Sequence, residues 1–191
     1  MEGDEEAFAG LVARFHTRLV RFARSFLSDA ASAEEVVQDT WMAVLRGLPS
    51  FEGRSSLGTW IYQILANRAK SRAVRDGRML LLADLEIRDN DPAVDPSRFT
   101  ARGGWADPPR QWEADDPEAL LLRSEMGRII AEALARLPAA QRAVVTLRDV
   151  EGFSSAEVCN ILDLTETNQR VLLHRARSSL RRELERHIDG R

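Results

Sequence analysis

The sequence predicts an all-α protein built as two small helical domains joined by a flexible linker. Three observations carry this expectation. Apolar residues recur at helical spacing over long stretches on both sides of the middle of the chain. No stretch alternates apolar and polar as a half-buried strand would. The middle itself is acidic, broken by prolines and without any period.

Phe8, Leu11, Val12, Phe15, Leu19, Phe22 and Phe26 recur three or four residues apart and predict a first helix with one apolar stripe. Ser28 and Asp29 interrupt it. Ser32 with Glu35 has capping-box spacing and opens a second helix, whose inner face is Val36, Val37, Thr40, Val44, Leu45 and Leu48. Gly47 and Pro49 end that helix, because neither continues one without cost. After the polar loop FEGRSS a third helix runs from about Leu57 to Arg75, with Trp60, Ile61, Ile64 and Leu65 pointing inward.

From about Met79 to Asp116 the composition changes, and Pro92, Pro96, Pro108 and Pro109 punctuate a stretch too polar to pack as a domain. Trp105 and Trp112 are unusual for a passive tether; they suit docking on a neighbouring domain or on a partner. Helices resume at Pro117, after Asp116 as N-cap, with Leu121, Ile129, Ile130, Ala133, Leu134 and Leu137 as the inner face. Pro138 starts the next helix, carrying Val144, Val145 and Leu147 and closed by Gly152. Ser154 with Glu157 makes a second capping box before Val158, Ile161 and Leu162. A turn at Asp163 and Leu164 follows, and Thr165 caps a last helix reaching about His187.

Composition excludes several classes. No apolar run approaches the ~20 residues of a membrane helix. The start, MEGDEEAF, is acidic where a secretory signal is basic and then apolar, so no membrane insertion and a cytoplasmic location are expected. Cys159 is the only cysteine, which rules out an internal disulfide, and it falls where a short helix buries a small inert residue. His16, His174 and His187 are isolated from any second metal ligand, and no glycine loop cradles phosphate. Neither catalytic nor metal-binding residues are expected, and no cofactor or small-molecule substrate.

The net charge of −3 hides a strong asymmetry. Arg68 to Arg78 holds five basic residues and one acid, Arg170 to Arg186 six arginines and two acids, and Asp84 to Asp116 nine acids and four arginines. Binding depends on local patches, since screening sets in within ~10 Å at moderate salt. The second basic patch lies in FSSAEVCNILDLTETNQRVLLHRAR, which has the layout of a helix-turn-helix. In such motifs the early residues of the second helix reach base edges in the major groove. Here these are Thr167, Asn168, Arg170, Val171, His174 and Arg175. Asn and Arg bond adenine and guanine edges bidentately, and Val171 suits a thymine methyl. Arg177, Arg181 and Arg182 lie further along and suit phosphates. Two residues depart from the usual pattern: Asp163 stands where the turn favours glycine, and Gln169 where the second helix buries an aliphatic chain. Leu172 and Leu173 are expected to supply that packing through a slight rotation.

LPAAQRAVVTLRDVEGFSSAEV and LLHRARSSLRREL resemble the fourth domain of bacterial RNA polymerase sigma factors of the extracytoplasmic-function type. AEEVVQDTWMAVLRGLPSFEGRSSLGTWIYQILANRAKS resembles the second domain of the same family. The likeness spans nearly all of the chain outside the linker. It implies domain 2 over residues 1–78, a three-to-four-helix bundle for core polymerase binding and −10 element recognition and melting. It further implies a connector over 79–116, and domain 4 over 117–191, a four-helix domain for −35 element recognition.

By the same resemblance, Gln38, Asp39 and Met42 dock on the clamp of core RNA polymerase. Phe51 and Asn67 hold an unstacked promoter base and its neighbours, and Arg68, Lys70 and Arg72 hold the strand backbone. Trp60 is expected in the core. The acidic connector would thread toward the polymerase active centre. The implied partners are core RNA polymerase, promoter DNA and an anti-sigma factor. The expected function is that of a promoter-specificity subunit in transcription initiation. The alternatives are a stand-alone helix-turn-helix transcriptional regulator and a helical adaptor that binds protein only.

Overall fold

The structure, a computed structural model, describes residues 2–77 and 117–189. The expected connector, with Trp105 and Trp112, lies outside the described residues. Those described form α1 (Glu2–Ala23), α2 (Ala30–Gly47), α3 (Leu57–Arg75), α4 (Pro117–Arg136), α5 (Ala139–Val145), α6 (Ser155–Leu162) and α7 (Glu166–Asp189). A 3-10 turn, Leu48–Ser50, follows α2, and a π-helical turn, Thr146–Val150, follows α5. No strand occurs among the described residues.

In the N-terminal unit α1 stops at Ala23, and Phe26 is buried from the turn beyond it. Phe22 links the layers, standing edge-on to Phe26 and meeting the ring of Tyr62 from α3. The start of α2 differs from the expected capping box. Asp29 is the N-cap, its carboxylate accepting the Ser32 backbone N–H at 2.7 Å. A carboxylate also answers the positive end of the helix, which a serine hydroxyl does not. That backbone hydrogen bond holds the Asp29 carboxyl below the usual range. Glu35, freed from capping, pairs with Arg72 of α3.

Leu45 and Leu48 are exposed rather than inside, and Trp41 occupies the core. Its indole N–H donates to His16 Nδ1, and Phe8 packs edge-on against its ring.

The C-terminal unit wraps α5 in its neighbours. Ala139, Ala140, Ala143, Val144 and Val145 are all buried, and small side chains on α5 leave room for α7. On α4, Ile129 and Ala133 are buried and Ile130 is exposed, so the inner face is narrower than its apolar pattern. The side chain of Leu121 lies outside the described residues.

Both bonds of the Ser154–Glu157 capping box form as expected. Asp163 takes the left-handed conformation, φ 58° and ψ 56°, that an aspartate tolerates better than most residues. The Thr165 hydroxyl accepts the Asn168 N–H at 3.2 Å. Gln169 is itself buried, as are Leu172 and Leu173, and the Ser155 hydroxyl donates to Gln169 Oε1 at 2.9 Å. A polar strut inside the helix-turn-helix therefore stands where an aliphatic contact was expected. Cys159 is only half-buried, and burial pushes its thiol up, with the charge of Glu166 adding to the shift.

The two expected helical units are both present, and the sequence did not show how they meet. Their apolar residues form one continuous buried cluster, in which α6 lies against α3.

Candidate nucleic-acid interface

The first expected site grows from the end of α2. The 3-10 turn ends at Phe51, whose ring lies 5.0 Å from that of Trp60, tilted by 37°. Trp60, expected in the core, is half-buried and stacks between Phe51 and the backbone at Gly47. A Cβ at Gly47 would meet the indole at 3.0 Å, so glycine permits this approach as well as ending the helix. Gly53, at φ +69°, turns the loop back toward α3. The result is a half-exposed aromatic pair beside the N-terminal end of α3.

On α3, Asn67 is exposed and Arg68 half-buried. Two of the three expected strand-holding cations are engaged elsewhere. Lys70 Nζ donates to the Leu162 carbonyl of α6 at 2.6 Å. Burial lowers the pKa of its ammonium, with Asp163 opposing. Arg72 pairs with Glu35 at 2.9 Å and Asp76 at 3.2 Å, and the hydrogen bond to Glu35 leads in raising its pKa. Gln38, Asp39 and Met42 share an exposed face of α2, and Leu45 extends it by an apolar step, with Met42 50% and Leu45 51% exposed.

The second expected site is α7. Thr167 and Arg170 are exposed, and Asn168, Val171, His174 and Arg175 are half-buried. Arg170 lies 3.5 Å from Glu166 one turn back, an exposed pairing that solvent screens. Arg177, grouped by sequence with the phosphate-facing cations, is instead gripped by Asp149 of the π-helical turn. Its Nε and Nη2 donate to the two carboxylate oxygens at 2.9 and 2.6 Å, and its side chain is 11% exposed. Arg181 pairs with Glu185, and Arg182 is exposed. The early turns of α7 thus present side chains outward, while Arg177, two turns beyond Arg170 on the same side of the helix, is tied down by the π-helical turn.

Residues the sequence did not single out join the two units: Glu151, Arg18, Tyr62, Gln63 and Arg142. Glu157 was visible only as a capping residue. Among the described residues no group of His, Cys, Asp and Glu could hold a metal ion, and no helix is long and apolar enough to cross a membrane.

An all-helical chain with a half-exposed aromatic pair on one unit and a helix-turn-helix on the other suits nucleic acid, and comparison with known proteins narrows this. Residues 11–79 match Sigma-70 region 2 and residues 127–180 match Sigma-70, region 4. The ECF RNA polymerase sigma-E factor of Escherichia coli (strain K12) is 29% identical over 179 residues, covering 94% of this chain and 87% of that protein. The RNA polymerase sigma-H factor of Pseudomonas aeruginosa is 27% identical over 188 residues, covering 96% and 89%.

Among solved structures, the sigma factor RpoE in complex with the anti-sigma factor NepR from Bartonella quintana superposes with a TM-score of 0.62 at 26% identity, covering 94% of this chain and 98% of that one. CnrH, in complex with the cytosolic domain of CnrY, shares the fold with a TM-score of 0.57 at 23% identity, covering 96% and 91%. The chain belongs to the sigma-70 family, in its extracytoplasmic-function branch. It is a promoter-specificity subunit for bacterial RNA polymerase in transcription initiation, and its family recognises promoters without catalysing a reaction.

Proposed function

We propose that the two units divide promoter recognition between them. Residues 1–78 bind core polymerase through Gln38, Asp39 and Met42, and read and open the −10 element with Phe51 and Asn67. Residues 117–191 read the −35 element through the early turns of α7, and residues 79–116 connect the two. The observation that best supports this division is the contrast in chemistry. The half-exposed Phe51–Trp60 pair, with Asn67 exposed two turns further along α3, suits an unstacked base, which needs an aromatic wall and an amide. An exposed Arg170 at the start of α7 suits a base edge in duplex DNA.

Catalysis belongs to the polymerase, and this chain works in the cytoplasm where the polymerase is. A similar protein is held by an anti-sigma factor in its solved structure. We extend that class of partner to this chain, and a pull-down from the native host that recovers polymerase subunits alone counts against it. Run-off transcription with core polymerase over a genomic fragment library tests the main reading. Discrete start sites that depend on the chain support it. Promoter-specific duplex binding without polymerase, and no run-off product, instead identifies a stand-alone regulator.

A further inference from the structure

The sequence of α3 makes it a basic helix for DNA, yet one side of it is covered by the C-terminal unit. Thr59, Gln63 and Lys70 of α3 meet Glu157, Asn160 and Leu162 of α6 in order along the chain. The Thr59 hydroxyl donates to Glu157 Oε1 at 2.9 Å, and the α3 N-cap, Ser56, reaches the same oxygen at 3.5 Å. Glu157 thus sits at the N-termini of two helices at once, where a carboxylate is favoured. Gln63 Nε2 donates to the Asn160 carbonyl at 3.3 Å, and Lys70 Nζ to the Leu162 carbonyl at 2.6 Å. Both carbonyls belong to the last turn of α6, which has no acceptor-satisfying partners of its own.

The anchor of this contact is Glu151, just after the π-helical turn. Its side chain is 1% exposed although it belongs to a surface turn. Arg18 Nε donates to its Oε2 at 2.5 Å, the Tyr62 hydroxyl donates to the same oxygen at 2.9 Å, and Arg21 lies 3.8 Å from Oε1. The two donors and the third, more distant cation all come from the N-terminal unit. Phe153 seals the cluster, its ring 4.9 Å from Tyr62. Desolvation and then the charge of Glu151 push the Tyr62 phenol up. Burial opposes the charge of Arg18, but its bond to Glu151 prevails and raises its pKa. Arg142 adds a bond from α5 to the Ser25 carbonyl at 2.9 Å.

We infer that Glu151 latches an autoinhibited closed form, in which the C-terminal unit occupies α3 and withholds Lys70 from DNA until polymerase or promoter separates the units. The inference rests on the proposed role of α3. Lys70 Nζ cannot hold both the Leu162 carbonyl and a DNA phosphate. A buried carboxylate is stable only while its donors surround it, so the latch closes as a set. Opening hydrates the Glu151 carboxylate, while Arg18 and Arg21 already reach water in the closed form, which makes the closed state reversible. Elements roughly 25 base pairs apart lie on the order of 80 Å apart along duplex DNA, and units in direct contact cannot read both.

Lys70 is the only lysine of the chain, so its acylation by an amine-reactive ester reports directly on the α3–α6 contact. The experiment compares the full chain with Glu151→Gln and Arg18→Met, one variant from each unit, with melting checked by circular dichroism and Lys70 followed by peptide mapping. Loss of charged hydrogen bonds should speed Lys70 acylation roughly tenfold to a hundredfold. In run-off transcription at limiting protein, both variants should exceed the parent several-fold. Equal acylation rates in the parent and both folded variants overturn the latch. Faster acylation with no transcription by any of the three upholds the latch and overturns the proposed role of the chain in initiation.

Discussion

α3 and α7 are both basic helices with an exposed polar face, yet the structure treats them in opposite ways. On α3, Lys70 is bonded to the other unit and Arg72 to Glu35 and Asp76. On α7, the braced cation is Arg177, two turns along from the helix start, and Arg170 in the early turns has only a screened partner one turn away. Local charge therefore does not say whether a helix is available. What decides is which partner its cations reach first. A helix that reads duplex DNA can stay open, because its target is presented ready-made. On the proposed roles, α3 works on melted strand, which offers no target until melting begins, and α3 is the helix that is covered.

The comparison breaks most easily at Tyr62, fully buried between Phe22 of its own unit and Phe153 of the other. Tyr62→Ala should cost ~3–5 kcal/mol in denaturant unfolding. A loss below about 1 kcal/mol would mean the two units do not share a core. Next come the two arginines of α7. Arg177→Ala should cost ~1.5–3 kcal/mol of stability through the lost bidentate pair with Asp149. Arg170→Ala should change stability by less than ~0.5 kcal/mol. In holoenzyme binding to promoter variants, Arg170→Ala should cost ~1–3 kcal/mol and relax preference at one base pair. Equal behaviour of the two arginines in both assays removes the distinction between an exposed Arg170 and a structurally tied Arg177.

Two smaller effects sharpen the α6 contact. Asp163→Gly relieves a left-handed aspartate and should raise stability by about 1 kcal/mol or less, read as a shift in melting temperature. No gain would mean that the side chain of Asp163, near Lys70, offsets its backbone strain. Glu157 is smaller still, at ~0.3–1 kcal/mol for a carboxylate at a helix start. The backbone hydrogen bond from Ser154 lowers its pKa from the ordinary 4.5. A depressed carboxylate contributes stability above that ordinary value and loses it as pH falls through the folded one. The stability difference between the parent and Glu157→Gln should therefore be constant above about pH 5 and shrink below about pH 4.5. A difference that does not shrink in acid denies the hydrogen bond to the ionised form.

Much of the fold was legible because it is local. The bounds of α3, the Ser154–Glu157 box, the turn at Asp163 and the Thr165 cap depend on residues within four positions of one another. Errors came where two local solutions compete or where a distant partner decides. Asp29 and Ser32 are both fair caps, and helix-end electrostatics favours the acid. Leu45, Leu48 and Ile130 keep helical spacing but fall beyond the faces their neighbours cover, while Trp41 and Tyr62 turn inward because rings from other elements meet them. Of the candidate site, residue type and layout pointed to the start of α7, and the family resemblance pointed to Phe51 and Asn67. The ties of Lys70 and Arg177 were not legible, since Leu162 and Asp149 approach them only in three dimensions. Glu151 gave no signal at all, because a single acid before a glycine looks like any surface turn.

The most direct test of the account is the distance between the units, measured by paired spin labels. Thr17→Cys on α1 and Arg182→Cys on α7 are exposed label sites, used with Cys159→Ser so that no other thiol reacts. The free chain should give one narrow, short distribution. The chain assembled with core polymerase and promoter DNA should lose it for distances several tens of ångströms longer, as elements on the order of 80 Å apart require. A free chain with a broad distribution, or one whose distance does not change on assembly, would contradict the claim that α3 is covered at rest and released in use.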